Sequence, residues 1–380
     1  MGAALTDEQK DFVAAIRDFC AKECGTREQR DALTDGGEKH HNDALYRQMA
    51  ELGWVGASIP EAYGGSGGGM VDACLLLQES ARGLAPIGAV ATTLIVAGAY
   101  ERFGTEEQKQ AMLGGIVAGA AEAIAMSEPE AGSDVGNLSC RAARENGGFT
   151  VNGQKTWISN AAHSDHVLLI ARTNRDGSKH EGMTMFEVPH DAEGMEIRPI
   201  ETMGGNDTND IFFTDCHLPQ DAVIGEVDQG WKQLMAGLNV ERLIIAAQLL
   251  GVAERAFDDT LTYVKERKQF GRAIGSFQVL KHRLADLATE IECCRLLVYD
   301  VAASVDANPG RMFPREASMA KLKVTEVAKK MSLEGMQMMG GYGYATEYDM
   351  ERHVRTALVS TIYGGTSEIQ REIVSKTYGL

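Results

Sequence analysis

Apolar residues recur at helical spacing from Thr6 to about Ala121, as in Phe12, Ala15, Ile16 and Phe19, and this period predicts a helical first portion. Thr6 and Gln9 stand at capping-box spacing before the first stripe. The run Tyr63-Gly64-Gly65-Ser66-Gly67-Gly68-Gly69 interrupts the pattern. It reads as a flexible surface turn, because no P-loop lysine follows it. Between about 122 and 230 the period changes to short β-like runs: Phe149-Thr150-Val151, His166 to Ala171, Met183 to Val188 and Ile211-Phe212-Phe213. Asn152-Gly153 and Asp176-Gly177 read as turns between them, and a small antiparallel barrel or sandwich is expected. From about Trp231 a helical stripe returns through Leu243, Ala246, Ala247, Leu250, Ala253, Ala256 and Phe257. Leu280, Leu284, Leu287 and Ile291 mark a second helix, and Asn308-Pro309-Gly310 breaks the chain before a third through Ala317, Ala320, Val324 and Ala328. The expected fold class is α+β, mainly α. An N-terminal helical domain (1–121) precedes a middle antiparallel β-domain (122–230) and a C-terminal four-helix bundle (231–380).

Composition narrows the function classes. The 380 residues allow two or three domains with a substantial core. The net charge of −17 opposes binding of a phosphate backbone over the whole surface, so nucleic acid is not expected as a partner. A few placed arginines and helix N-termini can still hold an anionic cofactor. No apolar run approaches the roughly 20 residues that span a bilayer, and no membrane partner is expected. Asp7, Glu8 and Asp11 stand where a presequence would be basic, so a cytoplasmic protein is expected, or a mitochondrial matrix one if the chain is a processed form. The seven cysteines contain no Cys-x-x-Cys pair and read as reduced thiols, and no metal site is expected.

Periodicity stops at this architecture, and motifs carry the rest. In chain order they are Met126-Ser127-Glu128-Pro129-Glu130-Ala131-Gly132-Ser133-Asp134, Lys155-Thr156-Trp157-Ile158-Ser159-Asn160, Glu266-Arg267-Lys268-Gln269-Phe270-Gly271, Phe277-Gln278, Gln337-Met338-Met339-Gly340-Gly341-Tyr342-Gly343, and Ile362 to Gln370. Each is weak alone. Their shared order over nearly the whole chain resembles the acyl-CoA dehydrogenase family. The resemblance implies FAD, and a homotetramer in which a neighbouring subunit completes the flavin site.

It also implies roles. Met126, Ser127 and Ser133 would contact the flavin, with Ser133 also near the substrate. Ser127 is a small departure, since the family more often has threonine there. Trp157 would lie against the flavin ring, beside Ile158, with the Ser159 hydroxyl bonded to N5. Arg267 would reach the pyrophosphate of another subunit's FAD, with Phe270 nearby, and an arginine fork suits phosphate oxygens. Gln278, Gln337, Gly340 and Gly341 resemble adenosine and diphosphate contacts. Thr366, Ser367 and Glu368 open the last helix, where Ser367 and Gln370 stand at capping-box spacing and the N-terminal amides could face phosphate.

One position departs from the common family pattern. The family usually places its catalytic glutamate at Gly364, between Tyr363 and Gly365, and glycine cannot take a proton. Some branches, resembling isovaleryl-CoA and long-chain dehydrogenases, supply it from a helix in a segment like Leu238-Asn239-Val240-Glu241-Arg242-Leu243, and Glu241 matches that position. It shares a helix face with Ile244, Ile245 and Gln248, so desolvation should raise its pKa, as suits a base. Asn239, Arg242, Tyr363, Gly364 and Gly365 would line the substrate, and the glycine would leave space beside Cα for a branched or bulky acyl group. The implied activity is α,β-dehydrogenation of an acyl-CoA to the trans-2-enoyl-CoA, with electrons passed to an electron-transfer flavoprotein. An acyl-carrier-protein thioester is an open alternative substrate. The other readings are a non-catalytic FAD-binding subunit of a mixed tetramer and a flavin oxidase of the same fold.

Overall fold

A computed structural model describes residues 5–145 and 147–380, apart from the side chains of 236 and 238–240. The first portion is helical as expected: α1 Asp7–Glu23, α2 Arg27–Leu33, α3 Asp43–Glu51, α4 Met70–Arg82, α5 Ala89–Phe103 and α6 Glu106–Val117. Thr6 caps α1 through the expected box, accepting from the Gln9 N–H while the Gln9 side chain accepts from Thr6. The glycine-rich run is a packed loop, which corrects the flexible turn. The N–H groups of Gly65, Ser66, Gly67 and Gly68 donate to the carbonyls of Pro60, Gly56, Ile59 and Ala57. A Cβ at Gly65 would stand 2.0 Å from the Ile59 oxygen, so close backbone approach requires the glycine.

The middle strands are β1 Glu122–Ala125, β2 Arg141–Glu145, β3 Gly148–Ser159, β4 His166–Arg172, β5 Met183–Pro189, β6 Met195–Thr202, β7 Gly205–Pro219 and β8 Val223–Ile224. They form one sheet in the order β6-β7-β3-β2-β4-β5-β8, with β1 pairing β4. Most pairs are antiparallel, as expected, and β1 and β2 add parallel pairings with β4. Asn152-Gly153 does not separate strands. It lies inside β3, where the register against β7 shifts between Val151 and Gly153, a β-bulge. Phe149, Val151, Ile158, Phe186, Val188, Ile211 and Phe213 build the buried face.

The last portion holds α7 Gly230–Glu266, α8 Gln278–Ala307, α9 Pro314–Met339, α10 Gly341–Tyr344, α11 Met350–Ser360 and α12 Ser367–Lys376. The chain gathers into two compact units. One comprises Met1–Arg30, Met70–Ala85 and Glu241–Leu380; there α1 packs on α4, α4 on α8, and α9 on α8, α11 and α12. The other comprises Asp31–Gly69 and Pro86–Val240, the sheet with α5 against β1 and α6. No described helix is long and apolar enough to cross a membrane.

Candidate active site

In the sheet unit, the third strand positions its motif through a buried lysine. Lys155 is fully buried, and its Nζ donates to the Met126 carbonyl at 3.0 Å and to Glu128 Oε1 at 2.7 Å. The Thr156 N–H donates to the Ser127 carbonyl at 2.9 Å. Glu128 also accepts from the Ser139 N–H and hydroxyl and from the Cys140 N–H. Burial pushes the Glu128 carboxyl up, but Lys155 and these donors outweigh it and hold it below the usual range. Met126, Ser127 and Glu128 are thereby laced to β3.

Trp157 follows in a second bulge, where pairing with β7 skips from Lys155 to Ile158. Its φ is 61°, a left-handed conformation rare for a bulky residue, and its ring is 61% exposed. The bulge turns the indole outward while Ile158 is locked in the core. Ser159 is exposed, Met126 and Ser127 are partly buried, and Ser133 is exposed beyond a tight turn in which Glu128 and Ala131 exchange main-chain hydrogen bonds.

In the helical unit, Glu241 and Gly364 come together. A Cβ built on Gly364 would lie 3.7 Å from Glu241 Oε1. It would also lie 2.2 Å from Ile245 Cδ1, so the space the glycine was expected to leave is filled by an isoleucine one helical turn from Glu241. Gly364 and Gly365 have φ of 60° and 80°, a turn that favours glycine at both places. Ile244 and Ile245 are buried beside the partly buried Glu241. Burial raises the Glu241 pKa, and the charges of Arg242 and Lys321 draw it down without cancelling the rise. Arg242 is itself buried, Tyr363 is exposed, and the Asn239 side chain lies outside the described residues.

The Gly364–Gly365 turn is held from two helices. Lys321 Nζ on α9 donates to the carbonyls of Ser360 at 2.9 Å and Gly365 at 2.8 Å. The Gln370 amide on α12 donates to those of Gly364 and Gly365, both at 3.0 Å. The expected Ser367–Gln370 capping box therefore does not form. Thr366 is the cap, accepting from the Ile369 N–H at 3.2 Å, and Gln370 turns back on the loop. Ser367 is buried with Oγ unbonded, and Glu368 is exposed in the first turn.

Arg267, Phe270, Gly340 and Gly341 line one cavity of about 780 Å³. Arg267 lies over the Tyr342 ring at 5.4 Å, and Phe270 is almost wholly exposed. A Cβ at Gly340 or Gly341 would meet nothing within 4 Å. Gln278 and Gln337 are exposed at the nearby ends of α8 and α9 but do not line the cavity. No metal-ligating cluster is found among the described residues.

Sequence reasoning missed Lys155 and Lys321. Lys321 had a signal: it stands four residues after Ala317 and three before Val324, on the apolar stripe of its helix. A lysine on a core face is either paired or put to use.

Known proteins resemble the chain over its whole length. The chain matches the acyl-CoA dehydrogenase N-terminal domain over residues 6–120, the middle domain over 123–216 and the C-terminal domain over 228–379. It is 36% identical to the caffeyl-CoA reductase–Etf complex subunit CarC of Acetobacterium woodii, covering 98% of each chain. It is 34% identical to the mitochondrial isovaleryl-CoA dehydrogenase of Solanum tuberosum, over 97% of this chain and 90% of that one. The crystal structure of an acyl-CoA dehydrogenase from Geobacillus kaustophilus superposes with a TM-score of 0.94, at 34% identity and full coverage of both chains. With three domain matches in order and a full-length structural counterpart, the chain belongs to the acyl-CoA dehydrogenase family of oxidoreductases.

Proposed function

We propose that the chain dehydrogenates a short or branched acyl-CoA at Cα–Cβ, with Glu241 as the base that takes the α-proton. The observation that carries this reading is the Glu241 carboxylate 3.7 Å from the place where a side chain at Gly364 would begin. A base borne on α7 thus stands beside the turn from which the family's usual glutamate would project. Its raised pKa brings the carboxylate closer to a thioester α-carbon in proton affinity. The Gly364 N–H would hold the thioester carbonyl, and that hydrogen bond strengthens as negative charge grows on the oxygen. Arg242, Tyr363 and Gly365 would border the acyl thioester, and Asn239 belongs to the same proposed set.

FAD is the cofactor. When bound, it supplies the two-electron acceptor for the β-hydrogen. The residues present fit such a group: an exposed indole held out by a strained bulge suits a flat ring, and Arg267 beside two unobstructed glycines suits a diphosphate. In this reading Met126, Ser127, Ser133, Trp157, Ile158 and Ser159 bind the flavin. Arg267, Phe270, Gln278, Gln337, Gly340, Gly341, Thr366, Ser367 and Glu368 bind its phosphates and adenosine, Arg267 across a homotetramer interface. We place domain boundaries near 121 and 230.

Support for an electron-transfer flavoprotein as acceptor comes from the relative named as part of an Etf complex, and for a branched acyl group from the isovaleryl-CoA dehydrogenase. Gly364 lends the branched group no extra room, because Ile245 fills it. The test is anaerobic bleaching of the flavin by straight and branched acyl-CoAs in wild type and Glu241→Gln. Loss of at least about 10²-fold in the bleaching rate is expected, and bleaching at the wild-type rate would reject Glu241 as the base.

A further inference from the structure

Lys321 lies outside the family motifs quoted above, yet it touches the turn on which the proposed chemistry depends. It is fully buried on α9, and its Nζ donates to two main-chain carbonyls, Ser360 at the end of α11 and Gly365 beside Gly364. The charged groups that act on it through space are Glu241 and Arg242 from α7 and Glu368 from α12.

We propose that Lys321 is a positioning residue for the reaction: it pins the Gly364–Gly365 turn through the Gly365 carbonyl and so places a buried ammonium at the turn that the Glu241 carboxylate adjoins. The proposal rests on the assignment of Glu241 as base. A buried ammonium in a low-dielectric surrounding acts on a nearby carboxylate more strongly than one in water. The interaction is reciprocal, since Lys321 draws the Glu241 pKa down and Glu241 supports the charge on Lys321. The turn it pins carries the N–H proposed to hold the thioester oxygen, and small misplacements of such donors have large effects on rate. Burial lowers the Lys321 pKa to about 8, and Arg242 adds to the fall while Glu241 and Glu368 oppose it. Above that pH the lysine loses its charge, its carbonyl bonds become neutral ones, and the Glu241 carboxyl is no longer drawn down.

The test is the pH dependence, between about 5 and 10, of flavin reduction by isovaleryl-CoA or butyryl-CoA, whichever reduces wild type faster. The range brackets the lowered lysine value and the carboxylate range. Wild type, Lys321→Arg, Lys321→Met and Glu241→Gln are compared, with heat-denaturation midpoints and binding of the enoyl-CoA product followed alongside. Wild type should lose rate as pH rises through about 8. Lys321→Arg stays charged and should abolish that alkaline fall while keeping the acid limb in place. Lys321→Met should lower kcat by on the order of 10- to 100-fold, with KM and product binding little changed. It should also move the acid limb to higher pH.

A role in packing alone would lower the denaturation midpoint and leave both limbs where they are. Absence of the alkaline fall in wild type overturns the proposal, as does its persistence in Lys321→Arg or an unmoved acid limb in Lys321→Met. Should Lys321→Met not fold, wild type and Lys321→Arg decide. Glu241→Gln separates the two readings. If it keeps full rate, the base assignment fails; if it is inactive while the Lys321 variants show wild-type limbs and kcat, only the Lys321 proposal fails.

Discussion

Two buried lysines hold the two motif-bearing regions of this chain, and they do so differently. Lys155 in the sheet unit meets a carboxylate directly, Glu128 at 2.7 Å, as well as the Met126 carbonyl. Lys321 in the helical unit meets two carbonyls, while Glu241, Glu368 and Arg242 act on it through space. In the first case the charge is neutralised where it sits, and the pair fixes the Met126–Glu128 segment to the strand that bears Trp157. In the second the charge is felt by the proposed base. A closed ion pair makes an anchor; a lysine lodged among carbonyls makes an anchor that also tunes its neighbour.

The largest effect on stability should come from breaking the closed pair. Lys155→Met leaves Glu128 buried without its counter-ion and should destabilise by about 3–5 kcal/mol. The denaturation midpoint should fall while the acid limb of the pH–rate profile stays in place. If Lys155→Met moves that limb as Lys321→Met is expected to, the two lysines do not differ in kind.

Crowding at the turn comes next. Gly364→Ala sets a methyl group against Ile245 Cδ1 at φ 60° and should destabilise by about 1–3 kcal/mol. Adding Ile245→Ala should relieve the steric part of that loss and leave the backbone part. A Gly364→Ala variant as stable as wild type would show that Ile245 moves aside freely. Thr366→Ala removes the cap of α12 and should destabilise by about 1 kcal/mol, read by urea unfolding, with the pH profile unchanged. A shifted profile there would mean that the helix, and not Lys321 alone, carries the electrostatic effect.

Local patterns made much of this legible in sequence. The stripe through Leu243, Ala246 and Leu250 is the buried face of α7, and the Thr6–Gln9 box forms as its spacing implies. Glu241 was found because its neighbours within three residues resemble a known segment. What sequence hid depends on residues far apart in the chain. Ile245 fills the place beside Gly364 only because α7 and the 362–365 turn meet, and Lys321 meets Gly365 across 44 residues. Asn152-Gly153 reads as a turn because that dipeptide favours positive φ, and the structure uses that freedom inside a long strand instead: Gly153 has φ 148° opposite the extra residue of β7. Gln370 stands at the right spacing to complete a cap, and the nearby Gly364 and Gly365 carbonyls take its amide instead.

The proposed acceptor of the α-proton is Glu241, and no group at position 364. Exchange of that proton with deuterated solvent, followed by mass in an acyl-CoA bound to the flavin-loaded enzyme, reads this step apart from electron transfer. Wild type should exchange, and Glu241→Gln should slow exchange by at least about 10²-fold while still binding the acyl-CoA. Exchange in Glu241→Gln at the wild-type rate would mean that another group takes the proton.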